Sequence, residues 1–239
     1  MQAKIIQEKI TAIVLAAGQG KRMQSSVQKQ YMLLEGKPLI FYSLKAFEES
    51  VVDEVILVSA KGEMEYCQKE IVEQYGFKKV TQIVEGGKER YHSVYEGLKA
   101  VTGRGLVLIH DGARPLLTVD IIERAVDGAR KYQACVVGMP VKDTIKIADE
   151  EEYAAQTLER RLVWQIQTPQ AFEYSLIKKA YDLLMSDETN QVGVTDDAMV
   201  TEKMLHQPVK LILGSYSNIK VTTPEDMEIA KVLMRYILR

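Results

Sequence analysis

Residues 12–31 read AIVLAAGQGKRMQSSVQKQY, and the change of character along this stretch decides which fold the chain is expected to take. Ala12, Ile13, Val14 and Leu15 form a short apolar run suited to a buried strand. Ala16, Ala17, Gly18, Gln19 and Gly20 then make a turn of mostly small residues, and Lys21, Arg22 and Lys29 turn the segment basic. A strand that ends in such a turn exposes backbone N–H groups with no side chain in the way, so phosphate oxygens approach closely. Arg22 offers a planar fork to those oxygens, whereas Lys29 is a mobile point charge. An ordinary strand-to-helix turn with solvated charges is the plainer alternative.

Two familiar phosphate loops do not fit. The dinucleotide pattern G-x-G-x-x-G fails because Gly18 and Gly20 are followed by Met23 where the third glycine belongs. The P-loop needs a hydroxyl after its lysine and a longer glycine spacing.

Further along, short apolar runs alternate with helical segments, which predicts an α/β fold: a Rossmann-like, mostly parallel sheet with helices on both faces. Strands are expected at 10–16, 54–59, 80–84, 105–110, 134–139 and 209–213. Helices are expected near 38–49, 62–75, 88–101, 118–132, 173–186, 196–206 and 224–238, with Pro38 and Pro224 suited to helix starts. Residues 141–170 break the rhythm. Their β-like pieces (144–147 and 162–166) flank an acidic tip at 149–152, which suggests an arm projecting from a single domain of 1–239. A two-stranded ribbon bearing Ile, Leu and Trp needs a second surface to cover it, so the arm is expected to serve in a homodimer unless it folds back on its own domain.

Composition narrows the function classes. With 239 residues, 46% hydrophobic and 27% charged, the chain has room for a large core, and a net charge of −2 offers no reason to expect a nucleic-acid partner. No run reaches the ~18 apolar residues of a membrane span, and the charged start MQAKIIQEKI does not suit a signal peptide, so a cytoplasmic protein is expected. Cys67 and Cys135 are far apart, and His92, His110 and His206 lack zinc spacing, which argues against a disulfide framework or a zinc site.

In an open parallel sheet, ligands gather beyond the carboxyl ends of the strands. After the third expected strand comes Glu85-Gly86-Gly87-Lys88-Glu89-Arg90-Tyr91-His92-Ser93, a glycine pair able to approach a flat base or simply to turn the chain. The fourth ends in His110-Asp111-Gly112-Ala113-Arg114-Pro115. There, Asp111 suits Mg²⁺, which takes a carboxylate plus phosphate oxygens, and Arg114 suits a substrate phosphate; a plain Asp111–Arg114 pair across the turn is the alternative. Lys142 to Lys146 and Glu159 to Arg161 lie at the two roots of the arm, where they either reach a small polar substrate or pair across the ribbon. Lys220, among apolar and hydroxyl residues, suggests a lysine pointed into a site, and Thr195-Asp196-Asp197 reads as a threonine helix cap followed by two acids in the first turn.

The segments LAAGQGKRM, KQY, HDGARP, KDTIK, QTPQAF, TDDA and NIKVTTPEDM, taken in this order, resemble the cytidylyltransferases of the methylerythritol phosphate pathway of isoprenoid synthesis. The resemblance spans nearly the whole chain. It implies a nucleotidyltransferase that joins CTP and methylerythritol phosphate with release of pyrophosphate, requires Mg²⁺ and works as a homodimer. Carried over by position, it makes Arg22 and Lys29 the catalytic cations and Asp111 the metal-associated acid. Ala16, Ala17, Gly18, Gly20, Gly87 and Ser93 fall at the CTP site, and Arg114, Thr144, Arg160 and Lys220 at the acceptor site, the arm residues serving a neighbouring subunit. Lys88 stands where some relatives carry an acid, and Arg161 beside Arg160 leaves open which of the two faces substrate. Two rivals remain at this stage: a ribitol 5-phosphate cytidylyltransferase of the same fold, and a noncatalytic nucleotide-binding regulatory module.

Overall fold

The computed structural model of the chain describes residues 8–18 and 28–237. Gly20 and Arg22, both expected in the site, lie outside the described residues.

The chain opens with β1 (Lys9–Ala16) and, after a single 3₁₀ turn at Lys29–Tyr31, a two-rung ladder of β2 (Leu33–Leu34) and β3 (Lys37–Pro38). Next come α1 (Leu39–Glu48), β4 (Glu54–Ser59), α2 (Met64–Tyr66), β5 (Val80–Glu85), α3 (Arg90–Ala100), β6 (Gly105–Asp111) and α4 (Val119–Tyr132). The second half holds β7 (Ala134–Pro140), β8 (Lys146–Ala148), β9 (Ala154–Thr157), β10 (Trp164–Glu173), α5 (Tyr174–Ser186), α6 (Asp197–Leu205), β11 (Lys210–Leu213) and α7 (Pro224–Ile237).

Seven strands form one sheet in the order β11-β7-β10-β6-β1-β4-β5. All neighbours run parallel except β10, which is antiparallel to both β6 and β7. Helices cover both faces because the central strands are apolar on both. Along β1, Ile10, Ala12, Val14 and Ala16 face a core shared with α1 and α4, and Ile13 faces the opposite core with Val94 and Leu98 of α3 and Ile177 of α5. Ile13, Val14, Ile56 and Leu57 are wholly buried, and a side chain of this kind contributes roughly 1.5–3 kcal/mol on burial. Such a sheet makes a rigid floor for whatever its strand ends carry. A third cluster, with Leu34, Leu39, Val221, Met227 and Ala230, seats α7.

The six expected strands are all present, within a residue or so at each end. A seventh was missed. Residues 164–170, assigned to the arm, belong to β10 in the middle of the sheet. Its sequence, with Gln165, Gln167, Thr168, Pro169 and Gln170, gives no apolar run, and Pro169 argues against a central strand. The ladder accommodates the proline by a register shift between Ile166 and Gln170. The buried amides are satisfied by side-chain bonds rather than by apolar packing: Gln167 Nε2 donates to the Ser215 carbonyl at 2.7 Å, and Gln170 Oε1 accepts from the backbone of Asp197 and Ala198.

Smaller corrections follow the same logic. Pro38 precedes α1 in extended backbone rather than beginning it. The helix expected at 62–75 is one short α-helical turn that widens into a π-helical stretch over Cys67–Glu73. The helix near 196 is capped by Asp196, whose carboxylate accepts from Met199 N at 2.9 Å, and not by Thr195. The arm reduces to β8 and β9, a two-stranded ribbon exposed at every position.

Candidate active site

The carboxyl ends of β1, β5 and β6 open onto a cavity of about 870 Å³. Ala17 and Gly18 from the turn after β1, Lys29, Gly87 and Ser93 line it together with Asp111 and Lys220. A smaller cavity of about 250 Å³ adjoins it, with Arg114, Gln167 and Thr168 in its wall. Arg90, Asp111 and Lys220 border both.

Each wall has a local cause. After β5, Gly86 has no room for a side chain, since a Cβ there would lie 2.6 Å from that of Ala17 and 2.7 Å from Ser93 Oγ. The turn after β5 therefore packs directly on the turn after β1. Ser93 Oγ accepts from Gly87 N at 3.2 Å, and His92 Nδ1 accepts from Glu89 N at 3.2 Å in a reciprocal cap of α3. The 3₁₀ turn at Lys29–Tyr31 is held by its neighbours: Gln30 Nε2 donates to the carbonyl of Ala16, and Tyr31 OH donates to Glu63 Oε2 at 3.0 Å. Lys29 thereby reaches over the first glycine, its Cε 3.9 Å from where a Cβ of Gly18 would stand. Ala16 itself is buried and does not line the cavity.

At the end of β6, Asp111 is held from two sides. Arg90 Nε donates to Oδ1 at 3.1 Å, and Lys220 Nζ lies 2.7 Å from Oδ2. Burial alone would raise the carboxyl pKa; the Arg90 charge, then Lys220 and Arg114, outweigh it and hold Asp111 ionised, well below the usual carboxylate range. Arg114 does not pair with Asp111 across the turn. Its Nη1 donates to the Asn218 carbonyl at 2.7 Å, and its Nε has no hydrogen-bond partner among the described residues. The 218–221 segment that delivers Lys220 is fixed by Val221 N donating to Ala113 O at 2.8 Å and Asn218 Nδ2 to Thr168 O at 2.9 Å. Beneath the site, His110 is fully buried beside Phe47, and burial lowers its pKa from 6.5 to about 3, so it is neutral at ordinary pH.

Sequence reasoning overlooked Arg90 and Asp197. The Arg90 guanidinium forms a two-pronged pair with Asp197, Nη1 to Oδ1 at 2.9 Å and Nη2 to Oδ2 at 2.8 Å, while Tyr181 OH donates to the same Oδ1 at 2.6 Å. Asp197 is wholly buried. One signal was present: an arginine opening a helix opposes the helix dipole, which implies a carboxylate partner.

Thr144 and Arg160 are not brought to either cavity. Both are exposed at the root of the arm, where Arg160 Nη1 donates to the Lys142 carbonyl at 3.2 Å and Arg161 pairs with Glu159.

Comparison with known proteins bears on this geometry. The family model for 2-C-methyl-D-erythritol 4-phosphate cytidylyltransferase (IspD) matches residues 10–236. A protein of that name from Lachnospira eligens is 54% identical, over 94% of this chain and 99% of the relative, and one from Lachnoclostridium phytofermentans is 50% identical, over 95% and 97%. Among solved structures, 4-diphosphocytidyl-2C-methyl-D-erythritol synthase from Anaerococcus prevotii superposes with a TM-score of 0.83 at 35% identity, covering 95% of this chain and 96% of that one. The Thermus thermophilus 2-C-methyl-D-erythritol 4-phosphate cytidylyltransferase gives 0.75 at 27% identity, covering 93% and 98%. With a family match that runs through both strand-end cavities and relatives sharing half of its residues, the chain belongs to the 2-C-methyl-D-erythritol 4-phosphate cytidylyltransferase family.

Proposed function

We propose that the two adjoining cavities hold the two substrates of the family's reaction, CTP in the larger and 2-C-methyl-D-erythritol 4-phosphate in the smaller. The chain is a nucleotidyltransferase that joins these substrates into 4-diphosphocytidyl-2-C-methyl-D-erythritol and pyrophosphate in isoprenoid synthesis. The observation that carries the assignment of cavities is their shared border at Asp111 and Lys220: a border lined by charged groups is where two anionic substrates must meet.

In this reading a phosphate oxygen of the acceptor attacks the α-phosphorus of CTP. The new P–O bond forms as the bond to the β-phosphate oxygen breaks, and pyrophosphate leaves with that electron pair. Little covalent work falls to the protein; it positions the reactants and offsets charge at phosphorus. Lys29, with Arg22, supplies that charge, while Ala17, Gly18 and the turn at Gly87 present backbone to the nucleotide. The close packing of Gly86 on Ala17 and Ser93 supports a flat, backbone-lined slot for a base. Arg114 and Lys220 receive the acceptor phosphate.

The donor set suits Mg²⁺: a single ionised carboxylate beside phosphate oxygens is its common arrangement, and Asp111 is kept ionised by its neighbours. When bound, Mg²⁺ would supply charge neutralisation at the phosphates, with Asp111 as its protein ligand. The exposed ribbon, carrying Ile147 and Tyr153, supports a homodimer in which a second copy covers the arm and receives Thr144 and Arg160. Among the described residues no helix is long and apolar enough to cross a membrane, in keeping with a cytoplasmic enzyme.

Pyrophosphate release from CTP with Mg²⁺ tests the reading, with methylerythritol phosphate and ribitol 5-phosphate compared as acceptors. A strong preference for the former is expected; equal use or a preference for ribitol phosphate would sink it. For Lys220→Ala, a raised acceptor KM with CTP binding retained is expected, and unchanged acceptor kinetics would remove Lys220 from the acceptor site.

A further inference from the structure

The Asp111 carboxylate has two cationic partners of different mechanical character. Lys220 is a single point charge on a flexible stem, with its side chain 36% exposed. Arg90 is locked. Two of its nitrogens are spent on Asp197, which is itself wholly buried, receives the Tyr181 hydroxyl, and has its backbone N–H tied to Gln170 Oε1 at 3.1 Å. Only Nε is left to face Asp111, at 3.1 Å on Oδ1. Because the guanidinium is planar, fixing Nη1 and Nη2 on Asp197 also fixes the direction of Nε–H. Asp197 further balances the Arg90 charge, so the bond to Asp111 does not add an uncompensated cation to the cleft.

We propose that Arg90 is a positioning residue for the family's reaction: anchored by Asp197 and Tyr181, it fixes one oxygen of Asp111, so that only the other, shared with Lys220, exchanges between the lysine and the metal. Oδ1 is the anchored oxygen and Oδ2 the working one. A bare buried ion pair needs no third group, and replacing such a pair by apolar residues of similar size is often neutral for stability. The Nε contact to Asp111 therefore distinguishes a device for the site from a device for the core.

This inference rests on Asp111 being the metal-associated acid, and the experiment separates the two. Calorimetry measures CTP binding with and without saturating Mg²⁺, in the absence of acceptor, and gives the factor by which the metal tightens CTP. The key variant is the triple Arg90→Met/Asp197→Leu/Tyr181→Phe, which removes the pair and its hydroxyl donor together, leaves net charge unchanged and keeps the volume filled. It is expected to melt within a few degrees of the parent, while the tightening factor falls at least fivefold, as it also should in Asp111→Asn. A triple variant that keeps the full tightening factor while Asp111→Asn loses it would overturn the role of Arg90 and leave the metal assignment standing. If Asp111→Asn keeps the factor, the metal assignment fails and this inference with it. Should the triple variant not fold, Arg90→Lys decides: it keeps the charge but lacks the fork, and a tightening factor within twofold of the parent would overturn the proposal.

Discussion

The strand-end cleft and the arm carry similar residue types, cations and hydroxyls near an apolar surface, yet they are built in opposite ways. In the cleft, Asp111 is bound from two sides, Arg114 is buried and tied to Asn218, and Asp197 is wholly enclosed. On the arm, every residue of β8 and β9 is exposed, and Thr144 and Arg160 face no cavity. The difference shows which of these charged groups a single chain holds in place by itself. Charges anchored in a core keep their geometry whatever surrounds the molecule, whereas those on a two-stranded ribbon depend on a second surface.

The sharpest way to break this contrast is to unpair a buried charge. Asp197→Ala leaves Arg90 with its Nε bond to Asp111 alone, and removal of one partner of a buried pair costs about 3–5 kcal/mol; urea unfolding measures it, and a loss under 1 kcal/mol would mean that the cleft is no more tightly held than the arm. Lys29→Ala should leave the melting temperature unchanged and lower turnover ~100-fold, the scale for losing one preorganised transition-state charge. Near-normal pyrophosphate release from that folded variant would remove Lys29 from the chemistry.

A pH series tests the buried floor beneath the cleft. His110 is held neutral, its pKa lowered from 6.5 to about 3 by burial, so the unfolded chain binds a proton that the folded chain refuses. Its contribution is complete above pH 6.5 and is lost as pH falls toward 3, with a slope of at most ~1.4 kcal/mol per pH unit. The depressed Asp111 acts in the same direction but only once pH falls below the unfolded carboxylate range, and Glu202, raised by burial, acts in the opposite sense just above that range, so the decline near pH 6 is the part that belongs to His110. His110→Gln should flatten the stability profile there; an unaltered slope would show that another group titrates. The smallest expected effect belongs to the arm. Tyr153→Ser with Leu162→Ser, both exposed, should change the stability of the single chain by no more than ~0.5 kcal/mol. The same pair should shift sedimentation toward monomer, and an unaltered dimer fraction, or no dimer in the parent, would count against the arm as the contact.

Much of the cleft was legible because its backbone obeys local rules. Alternation of apolar runs located β1, β4, β5, β6, β7 and β11, and glycine turns at their ends marked Gly18 and Gly87. Arg90 was passed over because it reads as a solvated helix start, and Asp197 because it reads as one of two first-turn acids behind a Thr195 cap. β10 was hidden for a related reason: polar residues and a proline suggest a loop unless one knows that neighbouring backbone groups will satisfy the amides.

The sequence by itself determined the α/β class and the turns at the strand ends, and it singled out Lys29, Asp111, Arg114 and Lys220, which line the two cavities. Periodicity and turn chemistry act between residues close in the chain, so a linear string records them. Only the tertiary structure decided that β10 crosses the middle of the sheet, that Asp111 stands between Arg90 and Lys220, and that Asp197 closes the far side of Arg90. Those contacts join residues 21, 107 and 109 positions apart. Their strength comes from burial and from orientation at about 3 Å, and neither quantity exists until the chain is packed.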